Sequence, residues 1–273
     1  MSQPLQGIQN RSIGVFDSGL GGLTVVKELR REMPHESIVY FGDIARLPYG
    51  IKSKEQILNF SIQNTLFLLK QKVKAIVVAC NSSSSAAYHF LRDHFGIPII
   101  DVIMPAVEAA ACVTHTGRVG LIATHATVAS QAYERSLRKI NPNLRIFSRA
   151  CSLFVPVVEE GWLEDPITEQ IVRRYLGGLR HKNIDTLILG CTHYPMLKAS
   201  IRKVLGPRVQ LIDSARPSVK KLKSILIRQG LVSKSKRKGE LRVFVSDMPR
   251  NFKQVGEKFL GEKLHKVQIV RGF

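Results

Sequence analysis

The sequence predicts an α/β protein of two pseudo-symmetric domains, each a mainly parallel sheet flanked by helices, with the active site in the cleft between them. Three observations point there. Strand-like and helix-like segments alternate along the whole chain, the connections are short, and the second half repeats the pattern of the first. The 273 residues are 44% hydrophobic, and the length allows either one large α/β domain or two that each bury a core; the repeat favours two.

Short β-branched runs at residues 12–16, 37–41, 75–79, 97–102, 118–123, 144–148, 186–189 and 209–212 read as strands, each closed by a turn. Between them lie amphipathic stretches such as 54–70 and 167–179, with apolar residues at helical spacings of three and four. Parallel neighbours need a crossover, so this alternation implies parallel strands covered by helices on both faces. Only residues 230–239 read as a loose, charged loop.

The internal repeat is the sharper signal. Ala75-Ile-Val-Val-Ala-Cys80-Asn81-Ser82 parallels Thr186-Leu-Ile-Leu-Gly-Cys191-Thr192-His193: an apolar strand ending in Cys, a small polar turn, then an expected helix. Each helix leads to another strand closing on Ile-Asp, at Asp101 and at Asp213. Upstream, the strand ending at Asp17-Ser18 parallels the one ending at Thr124. Each half therefore offers a Cys at the carboxyl end of a strand, where open α/β sheets bind ligands. If the halves face each other, the two thiols meet across one cleft.

Composition excludes several classes. Four cysteines with no Cys-x-x-Cys pair make neither a disulfide scaffold nor a structural zinc site. Residues 1–10 are polar, without the basic and apolar regions of a signal peptide. No apolar run approaches the ~18 residues of a membrane span. A cytoplasmic protein without membrane contact is expected. The net charge of +20 favours polyanions, but Lys and Arg are dispersed and the one dense cluster is Lys234, Lys236, Arg237 and Lys238. No nucleic-acid module is visible, so specific nucleic-acid binding is not expected.

A Cys opening a helix sits where unpaired N–H groups favour an anion, which makes its thiol reactive. The N–H groups of Asn81, Ser82, Thr192 and His193 can likewise hold a substrate carboxylate. Cys112 and Cys151 lack such a setting and read as small core residues. Two opposed thiols suit racemisation without a cofactor: one thiolate removes a proton from one face of a carbon, and the other thiol returns one to the opposite face. The developing carbanion then needs fixed donors, each worth about 3–4 kcal/mol. The Gly19-Leu20-Gly21-Gly22 loop has neither nucleotide-binding glycine spacing nor a Gly-Lys-Ser/Thr ending, and reads as a place of close backbone approach.

Five segments together resemble the glutamate racemase family. They are Phe16-Asp17-Ser18-Gly19-Leu-Gly21-Gly22-Leu-Thr, Asp43-Ile-Ala-Arg-Leu-Pro48-Tyr49-Gly50, Ala79-Cys80-Asn81, Phe154-Val-Pro156-Val-Val-Glu159-Glu160-Gly161 and Gly190-Cys191-Thr192-His193-Tyr194-Pro195. The resemblance implies interconversion of L- and D-glutamate for bacterial peptidoglycan, no cofactor and no metal, and a homodimer. It also implies a first domain of residues 1–104 plus 215–273 and a second of 105–214.

Residue by residue, the resemblance makes Cys80 and Cys191 the acid/base pair, with Asp17 assisting Cys80 and His193 assisting Cys191. It gives substrate contacts to Asp17, Ser18, Pro48, Tyr49, Gly50, Asn81, Ser82, Thr124, Thr127, Glu159, Thr192 and His193. Ser82 stands where the family usually has Thr, and Ala123 where it usually has Gly. Paired cysteines alone would also serve aspartate or hydantoin racemases or a maleate isomerase; the Cys-Thr-His-Tyr-Pro and Pro-Tyr-Gly motifs favour glutamate. From another class, a DNA-associated basic protein would show binding that survives physiological salt.

Overall fold

The computed structural model describes residues 7–249 and 252–272. Residues 1–6, part of the stretch whose polarity argues against a signal peptide, lie outside the described residues. Among those described are β1 (Ile13–Asp17), β2 (Ile38–Gly42), β3 (Ala75–Val78), β4 (Ile99–Asp101), β5 (Arg118–Ala123), β6 (Arg145–Ala150), β7 (Thr186–Gly190), β8 (Gln210–Asp213), β9 (Leu241–Val245) and β10 (Val267–Ile269). One sheet has the order β10-β9-β2-β1-β3-β4 and the other β6-β5-β7-β8, with every pair parallel.

The order β2-β1-β3-β4 recurs as β6-β5-β7-β8, so the sequence repeat is a repeat of topology. In the first sheet β1 and β3 run side by side at the point where the strand order reverses, the place where such sheets bind ligands. In the second, β5 and β7 hold the same position. β1, β2, β3 and β7 are buried end to end. That is why they read as continuous apolar runs and not as alternating ones.

Helices cover the sheets as the periodicity predicts. The helix Lys54–Lys70 is capped by Ser53, whose Oγ accepts from the Gln56 N–H at 3.2 Å. The helix Pro166–Arg180 starts on an Asp165 cap with Pro in its first turn, and buries Thr168, Val172, Leu176 and Leu179 along one stripe. The largest apolar cluster is continuous through both halves, running from Ile13, Val15 and Val77 to Phe154, Leu176 and Leu189. No helix among the described residues is long and apolar enough to cross a membrane.

Three expectations change. The loop at 230–239 is charged and exposed but not loose. The Ser233 N–H donates to Glu36 Oε1 at 2.8 Å, Gly239 N–H donates to the Pro34 carbonyl at 2.9 Å, and Glu36 is itself paired with buried Lys74. Cys112 is exposed and not a core residue. The helix Ile103–Val113 buries Ile103, Ala106, Val107 and Ala110, and Cys112 falls off that stripe. Finally, β9 and β10 extend the first sheet beyond β2, two strands that the sequence pattern does not mark.

Candidate active site

Each half brings its cysteine to the end of a central strand, but by different local means. Cys80 caps the helix Asn81–His94 directly, with extended backbone at φ −70° and ψ 123°. Cys191 does not open an α-helix as the repeat suggests. It leads into a turn, a 3-10 segment Tyr194–Leu197 and only then the helix Lys198–Leu205. Pro195 lacks the N–H that a continuing helix would use. An anion beside Cys80 therefore meets a helix start, whereas one beside Cys191 meets turn N–H groups and side chains.

Both cysteines line one cavity of about 480 Å³, a size suited to a small molecule. Of the sequence-predicted residues, Ser18, Pro48, Tyr49, Gly50, Cys80, Asn81, Ser82, Thr124, Glu159, Cys191, Thr192 and His193 line it. Leu47, Ile51, Leu153, Val155 and Pro156 add apolar wall. Asp17 and Thr127 are fully buried and stand behind the lining. Thr127 Oγ1 lies 3.1 Å from Thr124 Oγ1 and 3.4 Å from Ser82 Oγ, and so supports two residues that do face the cavity.

Cys80 Sγ donates to Ser18 Oγ at 3.5 Å. Burial, and then the nearby Asp17 carboxylate, push the Cys80 thiol up to about 11, against the Ser83 N–H and the hydroxyls of Ser18 and Ser83. Asp17 is itself raised by burial, partly offset by His193 and by N–H groups of the glycine loop. Its Oδ2 accepts from Gly19 N–H at 3.0 Å and its Oδ1 from Thr192 Oγ1 at 3.5 Å, so one carboxylate ties the first half's turn to the second's.

On the other wall His193 stands between two acids. Nδ1 lies 3.9 Å from Cys191 Sγ, and Nε2 lies 3.1 Å from Glu159 Oε1. Burial alone would lower its affinity for a proton. The hydrogen bonds to Cys191 and Glu159 outweigh it and raise the imidazole to about 10, so the ring carries its proton at neutral pH.

The Pro48–Gly50 turn is held from behind. Asp43, fully buried, accepts from the Tyr49 hydroxyl, from Arg46 Nε at 2.6 Å and from Ser246 Oγ at 3.0 Å. Asn64 Nδ2 donates to the Tyr49 hydroxyl at 3.2 Å. The phenol is thus occupied, and the turn reaches the cavity through its backbone and ring. A Cβ on Gly50 would stand 2.7 Å from Thr124 Cβ, so the two halves touch here.

Sequence reasoning missed two supports. Asp43 lies inside a quoted motif, and a buried Asp beside Arg46 is the signal that could have marked it. Tyr133, on the helix Ala132–Ile140, donates to Asn81 Oδ1 at 2.6 Å, a pairing across 52 positions with no local signature.

The chain is similar to known proteins in sequence and in fold. A family model described as Asp/Glu/Hydantoin racemase matches residues 22–222. The chain is 45% identical over 260 residues to a glutamate racemase of Geobacter metallireducens, covering 95% of this chain and 96% of that one. It is 44% identical over 263 residues to a glutamate racemase of Neisseria meningitidis, covering 96% and 97%. A crystal structure of glutamate racemase from Francisella tularensis in complex with D-glutamate superposes with a TM-score of 0.91 at 45% identity, covering 96% and 98%. The fold alone extends to an aspartate racemase of Picrophilus torridus, with TM-score 0.58 at 19% identity over 80% of this chain and 94% of that one.

Proposed function

Because the chain belongs to the Asp/Glu/hydantoin racemase family, we propose that it interconverts L- and D-glutamate without a cofactor, with Cys80 and Cys191 as the acid/base pair. The observation that carries this reading is that the strand-end cysteine of each repeat lines the same cavity. D-glutamate bound to the similar Francisella tularensis enzyme supports the choice of substrate. Bound between the thiols, the α-carbon would lie ~3–3.5 Å from each sulfur.

In the L-to-D direction Cys191 takes the α-proton and Cys80 gives one to the opposite face. A Cys80 thiol raised to about 11 is protonated at neutral pH and suited to donate. The His193 imidazolium, fixed by Glu159, balances negative charge on Cys191. In the reverse direction Cys80 must give up its proton, and Ser18 and the Ser83 N–H stabilise the thiolate that results. Asp17 acts from behind the lining, next to Cys80 and hydrogen-bonded by Thr192, and its negative charge favours a bound amino group. Asn81, Ser82, Thr124 and Thr192, with N–H groups of their turns, hold the carboxylates.

We assign residues 1–104 plus 215–273 to the first domain and 105–214 to the second. β9 and β10 completing the first sheet, and Ala106, Val107 and Ala110 packing with Val119 and Leu121 of β5, support that division. The same reading makes the protein a cytoplasmic homodimer that supplies D-glutamate to bacterial peptidoglycan.

A circular-dichroism racemisation assay on purified protein, with L-glutamate and L-aspartate in parallel and no added cofactor, tests the activity. Cys80→Ala and Cys191→Ala should each abolish turnover of glutamate while leaving the fold intact. Turnover in deuterated water should label product but not recovered substrate, since each thiol holds the proton it has just removed. Near-normal kcat in either variant, or equal labelling of substrate and product, would make a one-base mechanism the better account. Stable inactivation by a chelator, reversed by a metal, would overturn the two-thiol chemistry.

A further inference from the structure

We propose that Tyr133 positions Asn81: by donating to Oδ1 it holds the amide so that Nδ2 faces a substrate carboxylate, an inference that rests on the racemase reading above. Both residues are interior, with Tyr133 0% and Asn81 2% exposed, and the Tyr133 hydroxyl reaches Asn81 Oδ1 at 2.6 Å. Among the described residues this is the hydroxyl's one hydrogen bond. Burial raises the phenol well above its ordinary value, so it remains a neutral donor across any working pH. Asn81 Nδ2, by contrast, is buried with no acceptor.

A buried amide donor without a partner needs an explanation, and its position supplies one. Asn81 lines the cavity immediately after Cys80, with Cys191 and Thr192 among the other lining residues. A carboxylate entering that space brings the missing acceptor. The two ends of an amide are nearly equal in shape, so a half-turn of the side chain would exchange them. Exchanged, Oδ1 would set its lone pairs against the carboxylate. The Tyr133 proton favours the productive orientation, because only Oδ1 can receive it.

The anchor comes from the opposite half. Tyr133 packs in the core of the second sheet with Ala106, Ala110, Leu121 and Leu137, whereas Asn81 begins the helix that Cys80 caps in the first half. The amide beside one cysteine is therefore oriented by the domain that carries the other. Tyr133 is a positioning residue: it acts through Asn81, and its loss should weaken substrate binding in the ground state and the transition state alike.

Steady-state kinetics in both directions, with thermal melts of the same samples, test this. Tyr133→Phe keeps the ring and removes the proton; KM for glutamate should rise about tenfold with kcat within about threefold. Asn81→Ala should raise KM at least as much, and adding Tyr133→Phe to it should change KM no further. Asn81→Asp keeps an acceptor for Tyr133 but sets an anion against the carboxylate, and should raise KM more than Asn81→Ala does. A wild-type KM in Tyr133→Phe, or full additivity in the double variant, overturns the proposal. If Tyr133→Phe does not fold, Asn81→Asp decides, and an unchanged KM there overturns it equally. Absence of glutamate turnover in the wild type would sink this inference and the racemase reading together, whereas turnover with an insensitive KM sinks this inference alone.

Discussion

Gly21 sits where the glycine loop of the first half meets the Cys191 turn of the second, and adding one methyl group there should disable the enzyme. A Cβ at position 21 would stand 2.1 Å from Thr192 Oγ1 and 2.7 Å from both Thr192 Cβ and His193 Nδ1. Non-bonded heavy atoms settle near ~3.5 Å. Rotating Thr192 can move its Oγ1 away, but its Cβ is fixed to the backbone. The turn must therefore retreat by roughly 1 Å to restore contact distance. Cys191 lies next to Thr192 in that turn, and a misplacement of that size at reacting groups costs about a hundredfold.

Gly21→Ala is thus expected to lower kcat/KM for glutamate about a hundredfold and stability by about 1–3 kcal/mol through overpacking. The assay is circular-dichroism racemisation at 25 °C, with urea denaturation of the same preparation. Gly177→Ala is the matched control. It lies in the helix Pro166–Arg180, its Cβ meets nothing within 4 Å, and the change should leave activity untouched while adding up to ~1 kcal/mol. A Gly21→Ala enzyme within about threefold of wild-type kcat/KM, with the control behaving as stated, would refute the reasoning.

Two further outcomes follow from other parts of the site and surface. Replacing Lys234, Lys236, Arg237 and Lys238 with Gln or Ser should leave kcat/KM within a few-fold, because none of them lines the cavity; a loss of about a hundredfold would show that they steer substrate. His193 is raised to about 10 from an ordinary 6.5. Its partners' contribution to stability is therefore complete below about pH 6.5 and lost as pH climbs through 10. Urea midpoints across that window should fall with pH in the wild type and fall less in Glu159→Gln; equal slopes would remove Glu159 from the pair.

What could be read in advance was local. The strand-end cysteines were legible because a buried parallel strand is a continuous apolar run, and a Cys followed by a small polar turn stands out against that background. The topological repeat followed from the same segments. β9 and β10 escaped notice for physical reasons. β9 opens on Leu241-Arg242 beside the most charged stretch of the chain, and the three residues of β10 are largely exposed at the sheet edge. The Asp43–Ser246 and Tyr133–Asn81 bonds span 203 and 52 positions, so only the folded chain brings them together. The helix expected after Cys191 failed on Pro195, a residue visible in the sequence but outweighed there by the symmetry of the repeat.

The late arrival of β9 has a consequence for how the protein is made. β9 pairs with β2 along Ile38–Gly42, yet residues 102–240 must be translated between β4 and β9. At about 5–20 residues per second, the ribosome needs roughly 7–30 s to cross that interval. Throughout it the nascent chain carries β1 to β4 with one flank of β2 unmatched, and the residues of β2 are all buried in the finished protein. An open apolar edge of that kind recruits other chains. Translation pauses within 102–240 should therefore raise losses to aggregation, and messages cut short between codons 192 and 240 should yield insoluble product even though they encode both Cys80 and Cys191.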